Sequence, residues 1–459
     1  MVIPIHHWGR PLDAYVTSYT RDKTTSRLPD SDDPQQFAIG RQMIKKICLV
    51  AHDPAVSSNI SVSDLLEVLN MSRSPAGYSL FSNSRLISGC IRLMSRLPLS
   101  RGGRQAPFSY EYGYLCFRLL ILALGMSLID GREGCSQSFM QDMATYRDME
   151  PIYLFSLCIR GIVAEHITHS AEVGDGQDIY SCVLGWLRCS ECPELPELVS
   201  RSDTSTLLSM IWDDEKQFTK AMLQTYSPGL SGVVYLLWRY VQYERHLKEH
   251  PHPYRFMVPF IDVFFRCILC STPDQALAVA MIRMANSGAL QLREIAPINI
   301  RSELADSRLM IQAFIYQLNL GISTDDGETS LPIEDIPDTL HFLHSHFLPG
   351  CQDMIPELIG TTIKRCWITF LNPSRMSYFP TAFTVTFSWC RGFIVQLRQL
   401  KPTSSNKSLK LEVLTSSMDN DLIDFIGRIM VLIDPTPPKL IDSGTTISCS
   451  IEFGTDAWY

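Results

Sequence analysis

Three groups of residues have the types and spacing to do chemistry. His246, Glu249 and His250 fall within five residues of one another. On a helix, histidines at i and i+4 share a face that can hold zinc, and a glutamate beside them can act as base for a metal-bound water. Pro251 follows at once and disfavours helical geometry at His250, so the face breaks where the second ligand would sit. The competing reading is a solvated helix end whose histidines interact favourably with the helix dipole.

The second group pairs His166 and His169 with Cys189 and Cys192, about twenty residues further on, and such pairs can close a tetrahedral structural zinc site. The plainer reading puts the histidines at the surface in a last helical turn and leaves the cysteines as partly buried thiols. The third is His341, His344 and His346 near Cys351 and Asp338, where only the first two histidines have helical spacing. Phe342, Leu343 and Phe347 are then expected in the core, with the histidines along its edge. Cys267 and Cys270 lie beside Phe264 and Phe265, an apolar helical setting rather than the exposed electropositive one a reactive thiol needs. Each group has a geometric objection or a commoner explanation. No catalytic, cofactor-binding or metal-ligating residue is therefore assigned, and no stoichiometric metal or cofactor is expected.

The 246–250 spacing resembles the H-x-x-E-H motif of inverzincin metalloproteases. That resemblance covers five residues and implies a metal-dependent hydrolase using His246, Glu249 and His250, with Glu328, in a loop, as a distant third ligand. Nothing else in the chain is similar to that family's mixed α/β fold. A glycine-rich phosphate loop, a G-x-S-x-G elbow and a kinase signature set are all missing, as is βαβ alternation.

Residues 204–250 contain the clearest positioning elements. Asp203 reads as an N-cap, and Leu207, Leu208, Ile211, Trp212, Phe218 and Met222 recur at helical spacing. Ser227-Pro228-Gly229 ends that helix, since proline lacks the backbone donor and glycine tolerates a chain reversal. Leu230, Val233, Val234, Leu237 and Val241 form the stripe of a second helix, with Arg239, Gln242, Glu244 and Lys248 on a wet side. So short a loop predicts an antiparallel αα-hairpin packed stripe to stripe.

Other helix-length patterns cover 37–51, 63–71, 82–97, 108–129, 136–147, 151–170, 177–189, 301–319, 336–347, 353–371 and 418–433. Thr272-Pro273-Asp274-Gln275 reads as a capping box opening a helix to Asn286, stopped by Gly288. Trp186, Trp212 and Trp238 are evenly spaced, by a repeating unit or by chance. Successive helices with short breaks resemble the HEAT and armadillo class in architecture alone. The expected fold is all-α, an irregular solenoid or elongated bundle of antiparallel helix pairs. Alternation at 383–389 fits a strand, but a longer helical face through Phe379, Phe387 and Ile394 makes helix the expectation; 446–453 alternates too and could form a short C-terminal β element.

The chain divides into an irregular arm (1–35), a main helical array (36–320), an acidic loop (321–338), a C-terminal helical segment (339–434) and a tail (435–459). At 459 residues it exceeds the roughly 250–300 at which single cores stop growing. A net charge of −8 argues against broad phosphate-backbone binding, so no nucleic-acid partner is expected. The run 114–129 contains Arg118 and falls short of a span of roughly 20 residues, so no membrane span is expected. No secretory signal is legible, and fourteen scattered cysteines read as reduced core residues, which makes the expected compartment intracellular. Stacked helices with no assembled catalytic constellation predict a non-catalytic scaffold or protein-interaction protein with a protein partner; the alternative is the metal-dependent hydrolase.

Overall fold

A computed structural model describes residues 8–20, 34–53, 60–97, 106–132, 134–146, 148–173, 184–186, 197–246, 254–285, 303–323, 331–371, 379–399 and 404–432. The protein is all-α. Its longer helices are α1 (Pro34–Val50), α2 (Val62–Asn70), α3 (Ser84–Met94), α4 (Glu111–Asp130), α5 (Cys135–Thr145), α6 (Pro151–Val173), α7 (Arg201–Asp213), α8 (Glu215–Gln224) and α9 (Leu230–His246). They continue as α10 (Tyr254–Cys270), α11 (Pro273–Ala285), α12 (Leu304–Ser323), α13 (Ile336–Ser345), α14 (Ile355–Phe370), α15 (Phe379–Arg398), α16 (Ser404–Asp419) and α17 (Leu422–Leu432). Among the described residues there is no strand, only an isolated antiparallel bridge between Pro11 and Tyr110. Residues 383–389 are helical, inside α15, and 446–453 lie outside the described residues.

A helix that is apolar all round is stable only where neighbours cover every side. α4 is that helix. Residues Glu111 to Ile129 are all buried, and α2, α3, α5, α6 and α9 pack around them. By length and composition it could cross a bilayer, and the packing of these neighbours accounts for its apolar character instead. Glycine admits two of the close approaches. A Cβ on Gly113 would stand 2.0 Å from the Pro107 carbonyl oxygen, and one on Gly125 would stand 2.4 Å from Phe155 Cζ. Gly113→Ala is therefore expected to destabilise by about 1–3 kcal/mol, because a backbone carbonyl cannot step aside and overpacking outweighs the roughly 1 kcal/mol gain in helix propensity. Gly161→Ala, where a Cβ meets nothing within 4 Å, is expected to stabilise slightly. Denaturant midpoints of the two variants should move in opposite directions.

The start of the chain is not wholly irregular, as residues 8–20 dock on the first turn of α4. Tyr110 offers no side-chain cap, and a helix start leaves backbone N–H groups unsatisfied. The carbonyls of Arg10 and Trp8 accept from Glu111 N (2.9 Å) and Tyr112 N (3.1 Å). The expected helix before Ser227 is two helices, α7 and α8, divided at Asp214. Its N-cap is Ser200, which accepts from Asp203 N at 3.0 Å, so Asp203 belongs to the first turn. Ser227-Pro228-Gly229 does break the chain, with Gly229 at φ 78. α9 then packs against α7, but also against α4, α6, α10 and α11. On the side expected to be wet, Arg239 is buried, whereas Gln242 and Glu244 are half-exposed.

Two sets of neighbours run through the later helices. α8, α10, α12, α14 and α16 each pack on the next in that series, while α7 packs on α9, α9 on α11, and α13 on α15. The Thr272 capping box does not form. Gln275 donates instead to the Ser227 carbonyl at 2.8 Å, tying the start of α11 to the turn before α9. Trp186 directly follows a turn at Leu184 and Gly185, whereas Trp212 and Trp238 are helical, so the three tryptophans do not mark equivalent positions.

Candidate functional site

The deepest group of ionisable residues is one the sequence reading missed. Asp262 and Arg266 are four residues apart on α10, and their face meets α8 and α12. The Arg266 guanidinium is fully buried. It donates from Nε to Asp262 Oδ2 (2.8 Å), from Nη1 to Thr219 Oγ1 (3.0 Å) and Asp306 Oδ1 (2.9 Å), and from Nη2 to Asp306 Oδ2 (2.8 Å). Glu215 stands 3.7 Å away, and His346 Nε2 is 3.1 Å from Asp262 Oδ1. Burial opposes the charge on Arg266, but Asp262 and Asp306 outweigh it and raise its pKa further. Burial alone would raise Asp262, yet Arg266 and His346 hold it well below the usual carboxylate range. Glu215 is pushed up to about 8 by burial and by the Asp262 charge. Perturbed groups mark an active site when they line a cleft. Here the guanidinium's hydrogen-bonding directions are taken up by protein, and the cluster fastens three helices and the end of α13 together.

Two further buried carboxylates act as caps. Glu111 accepts from Arg10 N (3.1 Å), Arg10 Nε (3.0 Å) and Tyr19 Oη (2.6 Å). Burial raises its pKa, and these donors more than offset that and lower it. Asp214 accepts from Phe108 N at 2.8 Å and from Ser109 N, while Tyr15 Oη donates to the Phe108 carbonyl at 2.6 Å. That capture of the Pro107–Ser109 turn is why the chain breaks between α7 and α8. Burial pushes the Asp214 carboxyl up to about 8.

Among the described residues, those singled out by spacing are not brought together. His246 is the last residue of α9, and Glu249, His250 and Glu328 lie outside the described residues. Cys189 and Cys192 lie outside them too. His166 is not a surface residue: it is buried, its Nδ1 3.1 Å from Tyr235 Oη, and burial lowers its pKa to about 4. His341 stacks on Trp389, His344 Nε2 is 3.1 Å from Gln396 Nε2, and His346 turns to Asp262. Asp338 pairs with Arg283 on α11 at 3.0 Å. Cys267 and Cys270 are core thiols, raised by burial, Cys270 to about 12. Among the described residues no group of three or more His, Cys, Asp or Glu is placed to hold a metal.

What the surface does concentrate is apolar area at the C-terminal end of the described chain. Of the fifteen large hydrophobic side chains exposed among the described residues, six fall on α16 and α17: Leu411, Leu414, Met418, Ile423, Ile426 and Met430. α16 turns Val413 inward, with Ser416 donating to the Pro356 carbonyl of α14 at 3.1 Å and the Asn420 carbonyl accepting from Trp367 Nε1 at 2.8 Å. Leu411, Leu414 and Met418 project from its other side, beside a shallow groove of about 330 Å³ rimmed by Glu412 and Asp419. No helix-length pattern marks α16 in the sequence, because it opens on serine and asparagine and has no single apolar stripe. That two-sided distribution was itself the legible signal. Compared with known protein families, with curated proteins and with solved structures, the chain matches none.

Proposed function

We propose that the chain is a non-catalytic helical scaffold that holds another protein against its C-terminal helices. The observation that carries this reading is the outward apolar face of α16 and α17. Contiguous exposed apolar surface rimmed by polar residues marks interaction sites on soluble proteins. The successive packing of α8, α10, α12, α14 and α16 is consistent with an irregular α-solenoid, an architecture that presents extended binding surfaces. The scaffold would be intracellular, its partner a protein rather than nucleic acid.

The test is affinity capture from native lysate with the full chain and with Leu411→Asp/Met418→Asp, both side chains being exposed and tolerant of change. A partner recovered by the first and lost by the second, at unchanged helix content, supports the reading. A chelator-sensitive peptidase activity abolished by Glu249→Gln, with no partner recovered, would sink it in favour of the hydrolase.

A further inference from the structure

α4 carries one charge in its middle. Arg118 is only 6% exposed, and among the described residues no hydrogen bond or ion pair reaches its guanidinium, Glu150 at the start of α6 included. A guanidinium stays charged inside a protein, and a buried charge is ordinarily paired. The other deeply buried arginine shows the difference: Arg266 is held by Asp262, Asp306 and Thr219. Arg118 has no such set.

The neighbouring helices show what faces it. Arg118 and Gly125 are two turns apart on one side of α4. That side meets α6, where Phe155 and Ile159 lie against Gly125. Arg132 and Glu165 pair further along, so the two helices run parallel and Arg118 falls level with the start of α6 at Pro151. A helix start carries partial positive charge and N–H groups that favour an anion. The turn Met71–Arg73 packs on α6 as well, and the Tyr78 ring lies 5.6 Å from Phe155. Burial lowers the Arg73 pKa and the Arg118 charge lowers it further, while the same charge opposes the rise that burial gives the Tyr78 phenol. Tyr78 Oη is buried with no hydrogen-bond partner among the described residues, as is Tyr114 Oη, one turn before Arg118. Two guanidiniums and two phenols thus gather near the start of α6, a set rich in donors. We propose that Arg118, with Arg73 and Tyr78, binds a small phosphate dianion at the start of α6, either free phosphate or the monoester group of a small metabolite. Planar guanidiniums pair bidentately with phosphate oxygens, and two of them match a dianion better than a single carboxylate. The slight exposure of Arg118 limits the ligand to a group of that size.

Calorimetric titration of the full chain with inorganic phosphate, at low salt and about pH 8, should show one saturable site with a Kd below about 1 mM. Arg118→Met should weaken binding at least about thirtyfold and Arg73→Gln about tenfold, losses ordinary for charge-assisted hydrogen bonds. Arg308→Gln, at an exposed arginine already paired with Asp353, should leave the affinity within about twofold. Urea denaturation without phosphate adds a readout that a structural arginine would not give. Arg118→Met should raise the midpoint, because it removes a buried charge that has no partner, and added phosphate should then raise the parent's midpoint and not the variant's. Glycerol phosphate titrated alongside separates the two sources: it binds as tightly as phosphate if a monoester fits, and fails if the free anion alone does. No saturation by roughly 10 mM phosphate overturns the proposal. So does an affinity that Arg73→Gln leaves unchanged, a result that decides the matter even where Arg118→Met fails to fold.

Discussion

Arg266→Met should lower the unfolding free energy by about 3–5 kcal/mol, or prevent folding, because it leaves carboxylates buried without their cation. Asp262 and Asp306 are almost wholly inaccessible and take three of their hydrogen bonds from this one guanidinium. Desolvating a carboxylate costs several kcal/mol even after relaxation, and only a close, well-aligned partner offsets it. The informative comparison is a variant in which Arg266, Asp262 and Asp306 all become apolar residues of similar volume. Removing every member of a buried ionic cluster is often neutral or stabilising, so the triple variant should melt well above the single one in urea. Arg308 and Asp353 make a bidentate pair of similar geometry, at 2.6 and 2.7 Å, but at the surface. Arg308→Met should move the midpoint far less, since water takes over what the pair gave up. Equal losses at the two sites would show that burial does not decide the effect.

The contrast between these pairs explains what could be read in the sequence. Helices were legible wherever one side faces solvent and the apolar spacing stands out, as in α2 and α3, or where proline and glycine punctuate, as at Ser227-Pro228-Gly229. They were misjudged where tertiary contacts decide. Trp212 to Phe218 looks continuous in sequence, but a turn more than a hundred residues earlier offers the Phe108 N–H, which Asp214 accepts. Gln275 has the residue type for a capping box, and a buried carbonyl at Ser227 draws it away. Arg239 looked solvated because arginine usually is, but at that turn α9 is covered by its neighbours. The buried cluster had a signal that went unread. Asp262 and Arg266 are one helical turn apart inside the apolar run Phe260 to Cys270, where a charge is stable only if paired. The histidine groups pointed the other way, because spacing along the chain says nothing of partners such as Trp389, Gln396 and Asp262 that each histidine meets instead.

The same burial sets how stability follows pH. Asp214 is pushed from an ordinary 3.8 up to about 8, by burial first, although Phe108 N and Ser109 N pull the other way. A carboxyl whose pKa is higher in the folded than in the unfolded chain takes up a proton on folding between those two values. Its stabilisation is complete below the unfolded value and is lost as pH rises through the folded one. Asp214 should therefore subtract about 1.4 kcal/mol of stability for each pH unit between roughly 5 and 7.5, and Glu215, raised by burial and Asp262, acts in the same direction. Two groups oppose them toward acid. Glu111, lowered on balance by Arg10 and Tyr19, loses its contribution as pH falls through its depressed value. His166, held neutral by burial, subtracts stability below the ordinary histidine value. Comparison with Asp214→Asn cancels those terms, because the amide keeps an oxygen for Phe108 N but does not titrate. The amide stands in for the neutral carboxyl, so the unfolding free energies of the two chains should lie closest near pH 5 and diverge toward pH 7.5 by about 3 kcal/mol in favour of Asp214→Asn. Asp214→Ala should lie about 1–3 kcal/mol below Asp214→Asn at every pH, with the Phe108 N–H left without its acceptor. Parallel curves for the parent and Asp214→Asn would mean that Asp214 is ionised in the folded chain, and that the Pro107–Ser109 turn is held by a charged cap rather than a neutral one.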